Sequence, residues 1–293
     1  MLVIAAMLAL AAVVILFLPA VRSRLLPKPD MSALRVESLA ELGSQGAPLA
    51  GELLVPSGDG YPTGDGRALF WLSLRGTATD GTEWLLLRLP DRRVLARAHG
   101  FHAVKWLVGG TALAVVASET PFCKWPVLWR YVDHFRYECW TIDWRTGAVK
   151  PLDLADLPAG QRPAFLNTRV APTRGPVHWS LGDATVAMPP VPEARHVGDQ
   201  ELLCDWNYET TTETFSLKGA DPGTSRTLCT LPNCRYPVSA VCVADKDSAV
   251  FLVPVDLSPG SNLCEAWWLT ISTGQLERLP LPLELPGVRG AKP

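Results

Sequence analysis

Two aspartates stand in the glycine-rich stretch Gly58-Asp59-Gly60-Tyr61-Pro62-Thr63-Gly64-Asp65-Gly66, and their oxygens are the first candidates for chemistry. Carboxylates in a tight loop suit Ca²⁺, but a site needs about six to eight oxygens, and no glutamate closes this loop as it does in an EF-hand. No Gly-Lys-Ser/Thr follows, so the loop is not a phosphate-binding one. Its simplest reading is a mobile hairpin loop. His99 and His102 bring two imidazoles close together without a third ligand at metal spacing, and His134 and His178 stand alone. Nucleophilic catalysis of the serine-hydrolase kind needs Gly-x-Ser-x-Gly, which is missing. The acids are too scattered to nominate an acid/base pair. The sequence thus names no catalytic residue, no metal ligand set and no cofactor site.

The chain has seven cysteines, at positions 123, 139, 204, 229, 234, 242 and 264, and no Cys-x-x-Cys pair. Cys123 and Cys139 flank one insertion and could staple its base in an oxidising compartment. Equally, each cysteine can serve as a small buried hydrophobe. Between them lies an aromatic and charged stretch carrying Trp125, Trp129, Tyr131, Phe135 and Tyr137. On an exposed loop such a mixture makes a contact surface for a protein partner. The alternative is a satellite hydrophobic cluster that caps a sheet.

Behind these residues the chain divides into segments. Residues 1–21 carry no charged side chain, and the first charge is Arg22. A helix of that length covers roughly 30 Å, the thickness of a bilayer's hydrocarbon core. No basic n-region and no clean cleavage site accompany the run, so it reads as a retained single-pass anchor rather than a cleaved signal. Arg22, Arg24, Lys28 and Arg35 follow it and favour a cytoplasmic body; long domains are translocated largely regardless of such charges, so the side stays open. Residues 22–50 contain Pro27, Pro29, Gly43, Gly46 and Pro48 and read as a linker. Residues 51–282 form the body and residues 283–293 a tail. A net charge of −2, with both signs interspersed, gives no basic stripe for nucleic acid.

The body is internally repetitive. Val104 to Val115 and Val177 to Met188 match at a constant offset of 73 residues: a strand ending near tryptophan, a glycine turn, a second strand. Ala240 to Leu252 is a looser copy, and Leu69 to Leu74 gives a strand of a fourth. A second motif follows, in which Glu138 to Leu152 aligns with Glu265 to Leu279 through the turns Thr146-Gly147 and Thr273-Gly274. Degenerate copies run over Trp84 to Leu95 and Phe215 to Leu228. Alternating apolar positions make each a half-buried strand, and glycine takes the positive φ of the turn. The order predicts an all-β body of about four four-stranded antiparallel sheets, with residues 49–60 adding a strand or most of a fifth unit. A β-sandwich of the same hairpins is the alternative. Trp71, Trp84, Trp106, Trp140, Trp144, Trp179 and Trp267 fall on strand patterns and are expected between sheets.

Over roughly residues 65–282 these repeats resemble the degenerate, WD40-like β-propeller repeats of the TolB and PD40 kind. The turns depart from that pattern: Val108-Gly109-Gly110, Leu181-Gly182-Asp183 and Ala244 to Asp247 stand where the family has Ser-Pro-Asp-Gly. The expectation is a membrane-tethered, non-enzymatic propeller for protein interaction or scaffolding. The alternative is an extracytoplasmic hydrolase-type enzyme with Asp59, Asp65, His102 and His178 converging at one mouth of the channel.

Overall fold

The computed structural model describes residues 34–38, 54–56, 58–74, 83–119, 135–162, 164–167, 184–187, 191–219, 221, 223–256 and 263–279. The apolar run 1–21, Cys123, Trp125, Trp129, Tyr131, His134, His178, Trp179 and the tail 283–293 lie outside them. No helix among the described residues is long and apolar enough to cross a membrane.

Among the described residues the elements are strands, joined by three single-turn 3₁₀ segments. The first sheet holds β1 (Arg35–Glu37), β2 (Leu54–Pro56), β3 (Tyr61–Pro62), β4 (Ala68–Leu74), β5 (Glu83–Leu89) and β6 (Arg93–His99). Its order is β1-β6-β5-β4-β2, and β3 pairs with β4 beside β2 as a second piece of one interrupted strand. The second sheet is the meander β7 (Ala103–Trp106), β8 (Ala112–Glu119), β9 (Phe135–Asp143) and β10 (Ala148–Pro151). A two-stranded ladder follows, β11 (Ala164–Asn167) with β12 (Ala184–Ala187). The third sheet is β13 (His196–Val197), β14 (Gln200–Asn207), β15 (Thr212–Lys218) and β16 (Ser225–Leu231). The fourth is β17 (Ala240–Val243), β18 (Ser248–Asp256), β19 (Leu263–Thr270) and β20 (Gln275–Leu279). All the pairings are antiparallel, and the four sheets stand in a propeller ring.

Packing between the sheets fixes that arrangement. One core joins the first and second sheets through Trp71, Trp84, Leu86, Trp106 and Leu113. A second joins the first and fourth through Phe70, Leu85, Leu87, Val250 and Leu252. A third joins the third and fourth, where Phe215 and Phe251 meet at 4.4 Å between ring centroids. The alternation of β5 serves two of these cores. Trp84 and Leu86 point to one neighbour, and Leu85 and Leu87 to the other, as the period of two requires. Of the tryptophans expected between sheets, Trp71, Trp84 and Trp106 are buried, Trp140, Trp144 and Trp267 are half-buried against the cores, and Trp179 lies outside the described residues; the Trp84 indole donates to the Phe101 carbonyl at 2.8 Å.

The Thr-Gly repeat turns fall where the sequence places them, whereas the turn expected at Leu181-Gly182-Asp183 lies outside the described residues and the strand after it, β12, pairs with β11 in a ladder apart from the third sheet. Gly147 and Gly274 have φ of 75° and 70°. Each also faces the outer edge of the preceding sheet. A Cβ on Gly147 would lie 2.8 Å from the Val36 carbonyl oxygen of β1, and one on Gly274 would lie 2.3 Å from the Leu228 carbonyl oxygen of β16. So the Thr-Gly turn is a sheet-to-sheet joint as well as a chain reversal. Residues 35–37, expected within the linker 22–50, instead form the strand that makes this joint for the first sheet. Val36 is buried in the first core and pairs with Ala98.

Within the second and fourth sheets the first and third connections are tight, at 107–111, 144–147, 244–247 and 271–274, while the second ones span 120–134 and 257–262. Around the second of these, β8 and β9 outrun their neighbours. Among the described residues Val116 to Glu119 pair only with Phe135 to Glu138, a two-stranded arm beyond β7 and β10.

Gly274→Ala is expected to lower unfolding free energy by about 2 kcal/mol or more, since backbone rather than a flexible side chain blocks the new methyl. Gly198→Ala, with positive φ but open space around it, should lose only about 1 kcal/mol. Urea unfolding of the two variants separates the strain of the turn from the close approach.

Candidate functional site

The strand interruption between β2 and β3 delivers Asp59 to the inner part of the ring. Arg195 reaches it from the end of the 3₁₀ turn Pro192–Ala194, and its Nε and Nη2 donate to the two carboxylate oxygens at 2.8 and 3.0 Å. The Val241 amide of β17 donates to Asp59 Oδ1 at 3.1 Å, and the Gly60 amide donates to the Val241 carbonyl at 2.9 Å. Three parts of the chain therefore meet on one carboxylate: the first sheet, the entry to the third, and the inner strand of the fourth. Gly60 has no room for a side chain, since a Cβ would stand 2.7 Å from the Phe70 ring and 2.8 Å from Cys242 Cβ.

Next to this junction, the Tyr61 ring lies 5.4 Å from Trp106, which lies 6.1 Å from Trp71. Gly110 passes so close that a Cβ there would stand 2.7 Å from the Tyr61 ring. The Gly109 amide donates to Glu193 Oε1 at 3.3 Å, tying the β7–β8 turn to the same 3₁₀ turn. Burial, with Glu193 nearby, holds the Tyr61 phenol above its ordinary value. The hydrogen bonds to Asp59 hold the Arg195 guanidinium above its usual value, against the opposing effect of burial.

The loop expected to be mobile is thus pinned at both ends. Asp59 is committed to Arg195 and Val241, while Asp65 accepts from Thr63 and Arg67 within its own turn. The two aspartates that suggested Ca²⁺ serve separate structural partners. No group of three His, Cys, Asp or Glu able to hold a metal occurs among the described residues. His99 Nε2 lies 3.5 Å from Glu37 of β1, and the His102 amide donates to the Val115 carbonyl.

Phe135 and Tyr137 of the expected contact surface lie on the arm of β9, in register with Glu119 and Ala117. Cys139, on the same strand, is a buried thiol. Burial pushes the thiols of Cys139, Cys229, Cys234 and Cys264 up to about 11 and that of Cys204 up to about 12. These five therefore stay protonated and unreactive near neutrality, which fits their role as packing groups.

A second buried carboxylate, which the sequence did not single out, is Glu213 of β15. It is 1% exposed, and its Oε2 accepts from the Val238 amide at 3.1 Å, holding the connection 232–239 against the third sheet. Arg195 and Glu213 have no local signature. Their partners are 136 and 25 residues away, so only the fold reveals them.

Two outcomes follow from these carboxylates. Arg195→Met leaves Asp59 half-buried without its cation, and should cost about 1–3 kcal/mol in urea unfolding, more than Arg67→Met on the exposed Asp65. For Glu213, burial raises the carboxyl above its unfolded value, against the effect of Val238. Between the two values the folded state binds more protons than the unfolded one, so this group makes stability fall as pH rises. Glu213→Gln should flatten that slope in urea midpoints measured from about pH 4 to 8.

No family model matches the chain, and no curated protein matches it. Among solved structures it is similar to a variant of the AtxE2 isopeptidase with Astexin3-dC4 bound, at 10% identity and a TM-score of 0.34. The match covers 85% of this chain and 53% of that one, so the chain spans about half of that structure's length. A likeness at that level carries no argument about activity.

Proposed function

We propose that the chain is a membrane-tethered, non-enzymatic propeller of the TolB and PD40 repeat kind, which presents a contact surface to a protein partner. The observation that carries this reading is the two-stranded arm of β8 and β9. It projects past its own sheet and ends on the segment that holds Trp125, Trp129 and Tyr131. Aromatic residues in a segment bounded by a rigid scaffold suit recognition, because they offer large contact area at low entropic cost. The polar groups at the ring centre fit a scaffold too: the Asp59 oxygens both accept hydrogen bonds from the protein itself. The apolar run 1–21 supports the tether.

Cross-linking in native membranes, with the full chain as bait, tests this. Trp125→Ala/Trp129→Ala should reduce capture of the partner by roughly thirtyfold or more, as expected when anchors worth about 2 kcal/mol are removed. Urea unfolding should be unchanged. Capture at full strength by the double variant, or turnover of a small ester or glycoside by the wild type, would overturn the reading.

A further inference from the structure

We propose that the connection 232–239, which carries the chain from the third sheet to the fourth, is a proton-operated latch. It lies closed against the β14–β15 hairpin while the Glu213 carboxyl keeps its proton, and it opens when that proton passes to water.

Three hydrogen bonds close it. The Cys234 amide donates to the Thr211 carbonyl at 2.7 Å, the Trp206 indole donates to the Cys234 carbonyl at 3.0 Å, and the Val238 amide donates to Glu213 Oε2 at 3.1 Å. Trp206 and Glu213 stand directly opposite in the β14–β15 register, so the last two bonds leave the same face of the sheet. Cys234 is buried, and Val238 packs on the core between the third and fourth sheets. Of the three bonds, only the one to Glu213 has a titrating acceptor.

Among the described residues the Val238 amide is the one hydrogen-bond partner of the Glu213 side chain, and no cation pairs with it. A carboxylate charge buried with a single donor is costly. Its neighbours do not relieve that cost. Asp205 of β14 repels the charge, and Leu231 opposite it on β16 is apolar. Cys204 of β14 and Cys234 of the connection are thiols that burial keeps protonated, and Arg235 is exposed. Glu265 of β19, which acts on Cys234, is paired with Arg278. Burial holds the Glu213 carboxyl above its ordinary value; the Val238 amide opposes this and Asp205 adds to it. With the connection lifted, the carboxyl meets water and returns toward an ordinary value of about 4.3. The closed form therefore binds the proton more tightly than the open one. Opening grows as pH rises, and levels off once the closed form has lost its proton too.

The latch also holds strained backbone. Thr211 and Asn233 have φ of 49° and 61°, and they flank the bond between Cys234 and Thr211. A β-branched residue rarely adopts this conformation, which persists only while surrounding contacts impose it. Weakening the hold at Glu213 thus loosens the connection as a unit. Opening also uncovers Trp206. Tyr208, in the β14–β15 turn, is 77% exposed and meets the Trp206 ring edge-on at 5.8 Å between centroids. A lone exposed phenol becomes an exposed aromatic pair when the proton leaves.

Hydrogen exchange on the full chain from about pH 5 to 8, corrected for the intrinsic rate of each amide, tests the latch. Opening read at the Cys234 and Val238 amides should rise by up to about tenfold per pH unit before it levels. Glu213→Gln keeps the acceptor but cannot ionise, so the rise should vanish. Trp206→Phe removes the indole donor and should raise opening about fivefold at every pH, with the rise still in place. Amides within β15 and β18 should stay roughly a hundredfold better protected than those of the connection throughout. A flat profile in the wild type or an unchanged slope in Glu213→Gln overturns the latch. So does equal protection of connection and core, which means unfolding of whole sheets.

Discussion

The ring depends on where the Asp59 carboxylate sits. A propeller must join its first sheet to its last, and sequence neighbours cannot do this because the two are at opposite ends of the chain. Here the joint has an apolar part and a polar part. Phe70, Leu85 and Leu87 of the first sheet pack on Val250 and Leu252 of the fourth, which supplies most of the attraction. The polar part supplies register: Asp59 and Gly60 grip both backbone groups of Val241, and Arg195 locks the carboxylate from the third sheet's side. Apolar faces can slide over one another, whereas a bidentate guanidinium pair tolerates little displacement.

The outside of the ring is fixed differently. At Gly147 and Gly274 a tight turn of one sheet abuts a backbone carbonyl of the sheet before it. Both turns need glycine for two reasons at once, a positive φ and a missing side chain. In the fourth sheet a further tie runs between turns: Asp247 accepts from the Ser272 amide and hydroxyl at 2.6 and 3.0 Å, and its own carbonyl accepts from Ile271. Aspartate holds that place in the turn Asp245-Lys246-Asp247. The geometry of the turn is kept by hydrogen bonding, not by a fixed tetrapeptide.

What was legible in the sequence was what repeats or alternates. The Thr-Gly turns, the glycine turn after Trp106 and the strands around them lie where the offsets put them, because periodicity and turn chemistry are local properties. The β1 strand was not legible. It is three residues long, and what makes it a strand is the open edge of β6 and the pocket for Val36. The anchoring of the loop at 58–66 is hidden from the sequence for a related reason. Glycine and aspartate in sequence look mobile, and only the arrival of Arg195, 136 residues on, explains why Asp59 is held. The aspartates suggest cation ligands, and the structure gives them protein donors instead. What the partners were depended on closure of the ring, which no local pattern encodes.

These contacts divide the molecule into parts that must stay and parts free to change. The inner joint and the Thr-Gly joints are made from backbone groups, glycines and one ion pair, and a substitution there is felt by two or three sheets together. The second connections of the second and fourth sheets, at 120–134 and 257–262, begin and end on paired strands whose register is already set by β7, β10, β17 and β20. Insertions there cost little beyond loop closure, which grows only slowly with length. Change is therefore cheapest beyond the paired ends of β8 and β9, away from the junction at Asp59.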